Sequence, residues 1–428
     1  MARKMKDSGI EWIGEIPEGW EIKRLGAILQ ERNKVNNPIQ TTSILSLTNN
    51  RGVIPYSEKG NQGNKAKDDL TGYKIAHIGD IVLNSMNVII GSVGLSNYYG
   101  AVSPVYYMLF PRNNIETNIQ YYNYLFQTTA FQQSLRGYGN GILEIRMRIQ
   151  MQKLKTVLLP VPTFLEQSNI TVYLDASLSK LNILLSKIRS SIEEYKKLKQ
   201  AVITQAVTKG VRGEREMKDS GVGWIGAIPK DWEIKRLKSF CTIVDCKNRT
   251  PDVFPDGKYT VVRTTCIKDC SFSYEGSYQT DTTNFKAWTL KGQPHKGDIF
   301  FTREAPVGEA CLVPNADNLC MGQRVMFFRP EDNSDARYIM YSIYGPLVRE
   351  YIASKNSGST VGHLKLGQVA CIPIFYCPPL EQKEIADYLD AKCAEIDRLI
   401  AKKEQLVKEL EGYKKSLIYE VVTGKREV

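Results

Sequence analysis

Groups able to do covalent or acid–base chemistry are sparse in this chain. There are only three histidines in 428 residues, His77, His295 and His363. His77 and His295 sit at equivalent places, in His-Ile-Gly-Asp and His-Lys-Gly-Asp turns, which argues for scaffold rather than proton transfer. Pro251-Asp252…Asp256-Gly257-Lys258 mimics the acid–acid–lysine pattern of a metal-dependent nuclease. Its two acids are too close, however, and Pro255-Asp256-Gly257 is a strong turn sequence. Asn36-Asn37-Pro38-Ile39 falls short of the Asn/Asp-Pro-Pro-aromatic tetrapeptide of amino-methyltransferases. All nine cysteines lie between Cys241 and Cys393, and Cys266-x3-Cys270 lacks a histidine or second cysteine pair at zinc-ligand spacing. The thiols therefore read as reduced and metal-free, in a cytoplasmic protein. No P-loop and no dinucleotide fingerprint follows a predicted strand. The residues point to a non-catalytic chain that binds.

The binding inventory is richer. Lysine and arginine number 57 against 46 acids, a net charge of +11 with a pI near 9.0. Such a surplus favours polyanionic partners, because neutralising phosphates releases counterions. Two stretches, 26–160 and 238–377, hold Arg, Lys, Asn and Tyr in loops. Arg pairs bidentately with guanine and Asn or Gln with adenine, while both grip phosphates. The first stretch offers Arg51, Lys65, Lys67, Asn84, Asn87, Arg136, Tyr138 and Asn140. The second offers Lys247, Arg249, Arg263, Arg303, Glu304, Lys355, Asn356, Ser359 and Lys365.

What positions these loops is a module written twice. Met5–Leu25 and Met217–Leu237 are identical at 16 of 21 positions, 212 residues apart, and carry Trp12, Pro17 and Trp20 against Trp224, Pro229 and Trp232. Leu165-Glu166-Gln167 through Tyr173-Leu174-Asp175-Ala176 returns as Leu380-Glu381-Gln382 through Tyr388-Leu389-Asp390-Ala391. Between the repeats, landmarks recur in divergent sequence: a Gly-Asp turn feeding an apolar strand, later strands ending in Pro111 or Pro330, a helical pattern, and the glycine-rich loops Arg136–Gly141 and Lys355–Gly362. Strands mixed with helices predict α+β domains. After each comes a long helix. Leu178, Leu181, Leu185, Ile188, Ile192, Tyr195 and Val202 keep heptad spacing in the first. Ile396, Leu399, Leu406, Leu410, Tyr413 and Leu417 do so in the second, with Lys403 interrupting. The expected layout is a lead (1–25) packing near the C-terminus, a first domain (26–160), a central helix (161–212), a second domain (213–378) and a C-terminal helix (379–428). If the helices pair antiparallel, the two domains become related by a pseudo-twofold axis. No run approaches 18 apolar residues, so no membrane span is expected, and Met1–Trp12 has no apolar core of an export signal.

The paired Trp-Ile-Gly-x-Ile-Pro-x-x-Trp leads, the prolines before Leu-Glu-Gln-x-x-Ile-x-x-Tyr-Leu-Asp, and the Tyr195-Lys196-Lys197 and Tyr413-Lys414-Lys415 helix ends resemble the specificity subunits of type I restriction–modification systems. The match covers essentially the whole chain. The resemblance implies two target recognition domains, each reading one half of a bipartite site on double-stranded DNA. It also implies an antiparallel coiled-coil spacer holding two adenine-methyltransferase subunits, with motor-nuclease subunits joining for cleavage. S-adenosylmethionine, ATP and Mg²⁺ would then belong to those partners. The alternative is an assembly scaffold, a coiled coil displaying two protein-binding domains.

Overall fold

The computed structural model describes residues 3–49, 51–60, 65–140, 148–356 and 362–428, with the backbone alone at Gly139, Asn140 and Asn356. The chain divides into two compact units, Met1–Ile188 with Gln405–Val428, and Arg189–Glu404. In the first, β1 (Leu29–Arg32), β2 (Ile81–Asn84), β3 (Val93–Leu95) and β4 (Tyr106–Pro111) form an antiparallel sheet in the order β1-β4-β2-β3. It is followed by α1 (Ile119–Gln127) and α2 (Phe164–Lys209). In the second, β5 (Cys241–Val244), β6 (Ile299–Arg303), β7 (Val307–Leu312) and β8 (Val325–Pro330) repeat the order as β5-β8-β6-β7. There α3 (Ala336–Ile343) and α4 (Pro379–Val422) follow.

Each sheet is apolar on both faces, which explains the uninterrupted hydrophobic runs. Ile81 and Leu83 face the core shared with the helices, while Val82 faces a smaller cluster with Leu45, Val53 and Met108. Ile299 and Phe301 alternate with Phe300 in the same way. The His-x-Gly-Asp turns feed the central strands. Asp80 accepts the His77 amide at 2.9 Å and pairs with Arg32 at 2.9 Å; Asp298 accepts the His295 amide at 2.9 Å and pairs with Arg329 at 2.7 Å. Gly79 and Gly297, at φ 87° and 96°, close the turns in a conformation that disfavours any Cβ. The repeated histidines thus mark a turn held by its aspartate.

The lead is a structural fastening. Met5–Asp7 pairs with Glu15–Pro17, and Met217–Asp219 with Ala227–Pro229 in the same register. The next strand, Glu21–Arg24 or Glu233–Arg236, pairs with the strand entering the long helix, Leu158–Val161 or Pro373–Tyr376. Trp20 and Trp232 are fully buried beneath. At the top of α2, Thr163 and Glu166 make a reciprocal cap, the Glu166 amide donating to Thr163 Oγ1 and the Thr163 amide to Glu166 Oε2. Glu166 also accepts from Arg3 and, at 3.2 Å, from the Trp20 indole. At the top of α4, Glu381 is fully buried with Arg215 Nη1 at 2.6 Å, and Arg215 lies 5.3 Å from the Trp232 ring. Gln167 bridges the Asn118 amide and the Pro162 carbonyl; Gln382 does the same for the Asp335 amide and the Cys377 carbonyl. Asn118 and Asp335 cap α1 and α3. In the first unit Tyr419 donates to the Trp12 carbonyl at 3.0 Å, so the lead rests on the last turns of α4.

Within each unit the long helices run antiparallel. Lys414 donates to Asn182 in the first and Lys199 pairs with Asp397 in the second. Leu178, Leu185, Ile188 and Ile192 are buried, on the seam the heptad reading gives for α2. In α4 that reading needs correction. Leu406 and Tyr413 are 42% and 46% exposed, and Lys403 lies on the inward face with its ammonium 5.5 Å from the Tyr195 ring. The inward positions run 393, 396, 400, 403, 407, 410, 414, 417 and 421, alternating steps of three and four. A lysine stem can cover apolar surface while its charge rests on an aromatic face, so the seam does not break at Lys403.

Candidate nucleic-acid interface

In the first unit the loops beside the sheet enclose a cavity of about 640 Å³. It brings together Lys65, Asn84 and Asn87 from the expected residues and adds Asn49, Tyr56, Lys59 and Tyr73 from separate loops. Asn84 is buried, and its Oδ1 accepts the Met86 amide at 3.0 Å, holding the loop after β2. Arg51 is exposed and paired with Glu58, and does not line the cavity. The Lys67 amide donates to Tyr73 Oη at 3.0 Å, and its side chain does not line the cavity. Arg136 is exposed on the turn Leu135–Tyr138, where Tyr138 packs partly into the core; Asn140 follows in a backbone pair with Arg148.

In the second unit Lys247 lies 4.7 Å from the Trp288 ring, whose Nε1 donates to the Arg249 carbonyl at 3.1 Å. This places one lysine ammonium on an aromatic platform, a pairing suited to phosphate or to a stacked base, and ties the backbone of the exposed Arg249 to the same ring. Arg303 is different. It is buried, with Nη1 3.1 Å from Asp245 and Nη2 bonded to Asn248, so its guanidinium braces the 245–248 loop. Glu304 is likewise engaged, by Arg324 at 3.2 Å and His363 at 3.4 Å. Lys355 is exposed above Tyr351, whose hydroxyl donates to Gln368 beside Lys365. Asn356 ends that helix, and Ser359 lies outside the described residues, as does Gly141 of the other glycine-rich loop. Arg263 lines a second cavity, about 710 Å³, with Lys199 and Lys268. Neither lysine stands out in the sequence, since one belongs to α2 and the other to a short hairpin; only folding brings them beside Arg263.

The strings that mimic catalytic motifs have structural uses. The Gly257 amide closes a turn onto the Phe254 carbonyl at 2.8 Å, and a Cβ at Gly257 would meet the Thr280 carbonyl at 2.2 Å. Asn36 is buried and binds the Gln40 and Thr41 amides. Among the described residues no group of three His, Cys, Asp or Glu could hold a metal ion.

Two units on one scaffold, with polar and basic loops that differ between them, define a recognition protein in duplicate. The chain belongs to the family of the type I restriction modification DNA specificity domain, whose model matches residues 17–194 and 229–409. Two Methanocaldococcus jannaschii proteins are similar over nearly their full length. One, named for the MjaX specificity subunit of a type I restriction enzyme, is 26% identical over 430 residues, covering 96% of this chain and 95% of its own. The other, the MjaVIII specificity subunit, is 24% identical, covering 96% and 93%. A solved chain described for complex assembly and conformational transition of the type I R-M system shares the fold, with a TM-score of 0.71 at 15% identity over 96% of this chain and 99% of that one.

Proposed function

We propose that this chain is the sequence-specific DNA-recognition subunit of a type I restriction–modification complex, each unit reading one half of a bipartite site. The carrying observation is one scaffold used twice with unlike loops: the same strand order, Gly-Asp turn and helix cap, but an asparagine- and tyrosine-lined cavity in one unit and a Lys247–Trp288 platform in the other. Two equal binding tasks need one frame; two different sequences need different side chains. Lys65, Lys67, Arg51, Arg136, Lys247, Arg249, Arg263, Lys355 and Lys365 are the proposed phosphate and base contacts. The asparagines of the first cavity favour adenine, and Arg249 and Arg263 favour guanine. The chain itself is non-catalytic in this reading. Methyl transfer and cleavage, with S-adenosylmethionine, ATP and Mg²⁺, belong to two methyltransferase subunits and to motor-nuclease subunits.

Duplex binding by the purified chain tests this against an assembly scaffold. Raising salt from about 50 to 200 mM should weaken binding by roughly 10³-fold or more if six or more phosphates are contacted. Arg136→Glu and Lys355→Glu should flatten that dependence. No duplex binding, or binding indifferent to salt, would favour the scaffold.

A further inference from the structure

We propose that Arg324 reads one guanine of the second half-site, positioned by Glu304 at a strained corner of its sheet, an assignment that rests on the functional reading above. The two units correspond residue by residue at this corner. β2 meets β4 at Asn84 and Tyr106, and β6 meets β8 at Thr302 and Val325. Just beyond, the Ser85 amide donates to the Val105 carbonyl at 3.4 Å, and the Arg303 amide to the Arg324 carbonyl at 3.1 Å. Arg324 therefore stands where the first unit has Val105, and Glu304 where it has Met86. Asn84, Met86, Val105 and Tyr106 all line the first unit's cavity. The corner that one unit opens as a cavity holds an ion pair in the other, Glu304 Oε2 lying 3.2 Å from Arg324 Nε.

The backbone is strained on both sides of that pair. Arg324 has φ 75°, and Ala305, next to Glu304, has φ 52°. The frame requires neither conformation. Val105 closes the equivalent turn outside the left-handed region, and Asn87, the counterpart of Ala305, has φ −127°. The other left-handed non-glycines among the described residues, Asp269 and Cys270, form the two-residue tip of a hairpin, where that conformation closes the turn. Arg324 and Ala305 have no such local use, and strain of this kind persists where a function holds it. Two arginines meet here and divide the work. Arg303 is buried and braces the Asp245–Asn248 loop, whereas the Arg324 side chain is 42% exposed. Glu304, which also meets His363 at 3.4 Å, approaches Arg324 most closely at Nε. That leaves the terminal nitrogens for the O6 and N7 acceptors of a guanine.

The test uses the purified full chain and a panel of duplexes, each changing one base pair of the methylated motif that the chain confers on a host. The unaltered chain should lose about 5- to 150-fold in affinity at one G·C pair of the half-site that residues 238–377 specify. Arg324→Ala should accept any base pair there while keeping every other preference, and Glu304→Ala should weaken discrimination at that pair and no other. Arg324→Gly separates reading from bracing. Glycine adopts φ 75° without strain, so this variant should relax the same pair while its denaturation midpoint holds or rises. Preferences left intact in Arg324→Gly would make Arg324 no reader, and the proposal wrong. Preference lost only together with a fallen midpoint would tie the loss to unfolding and count against it. Uniform weakening across the panel would make Arg324 a phosphate contact, which also overturns the proposal. An unaltered chain that prefers no duplex would overturn the functional reading itself.

Discussion

Arg303 shows how far residue type alone can carry an assignment. An arginine after an apolar strand reads as a reader of guanine, yet its guanidinium is buried against Asp245 and Asn248. Arg303→Ala leaves the Asp245 carboxylate without its partner and should cost about 3 kcal/mol in denaturant titration; an unchanged midpoint would mean the pair is not structural. Lys65, Asn84 and Asn87 were named in the sequence by residue type alone, and the fold brings them to one cavity. Asn49, Tyr56 and Tyr73 were not, because no local pattern links loops that meet only after folding. The thiols carry a second prediction. Burial pushes Cys311, Cys320 and Cys377 up to about 12 and Cys393 up to about 11. Their folded values lie above the unfolded thiol's value of about 8.5. The stability they contribute is therefore fully present below about pH 8.5 and lost as pH rises toward 11–12. Stability of the second unit should fall over that window. At pH 8 the half-exposed Cys371 should alkylate first, and equal rates at all nine cysteines would contradict the packing.

At the scale of elements, the repeated strings proved the most readable because each copy tested the other. The Leu-Glu-Gln motif was visible as a repeat, but only part of its use is local: Glu166 caps its own helix with Thr163, while its bond to Arg3 and that of Gln167 to Asn118 reach residues 163 and 49 positions away. The seam of α4 was misread because a strict apolar pattern treats Lys403 as a break, whereas the helix keeps its inward face through lysine stems. Packing along the long helices also decides where their length can be changed. The segment Thr204–Gly210 lies past the heptad run, but an insertion there would disturb Ile203, Ala206 and Val207, core residues of the second unit. A lengthening that preserves register needs one heptad in each helix, after Ile188 and after Glu404. Seven residues add roughly 10 Å of helix. If the helices set the spacing, the unspecified gap in the DNA site should grow by about three base pairs at 3.4 Å each, with both half-sites unchanged. An active variant that keeps the original gap would show that the helices join the readers without spacing them.

For the whole molecule, the α+β class, the two long helices and the family were readable because duplication fixes the frame. Which DNA sequence is read was not, because that information sits in loops where the two copies share no pattern. If one chain holds two independent readers, exchanging one domain must change one half-site alone. The most direct measurement is the adenine methylome of a host expressing a type I methyltransferase subunit with no specificity chain, with this chain, or with this chain carrying residues 26–160 from a relative. A bipartite adenine motif should appear only when a specificity chain is present, and the exchange should alter one half of it and leave the other half and the gap unchanged. A motif that is independent of the chain, or one in which both halves change together, would contradict the claim.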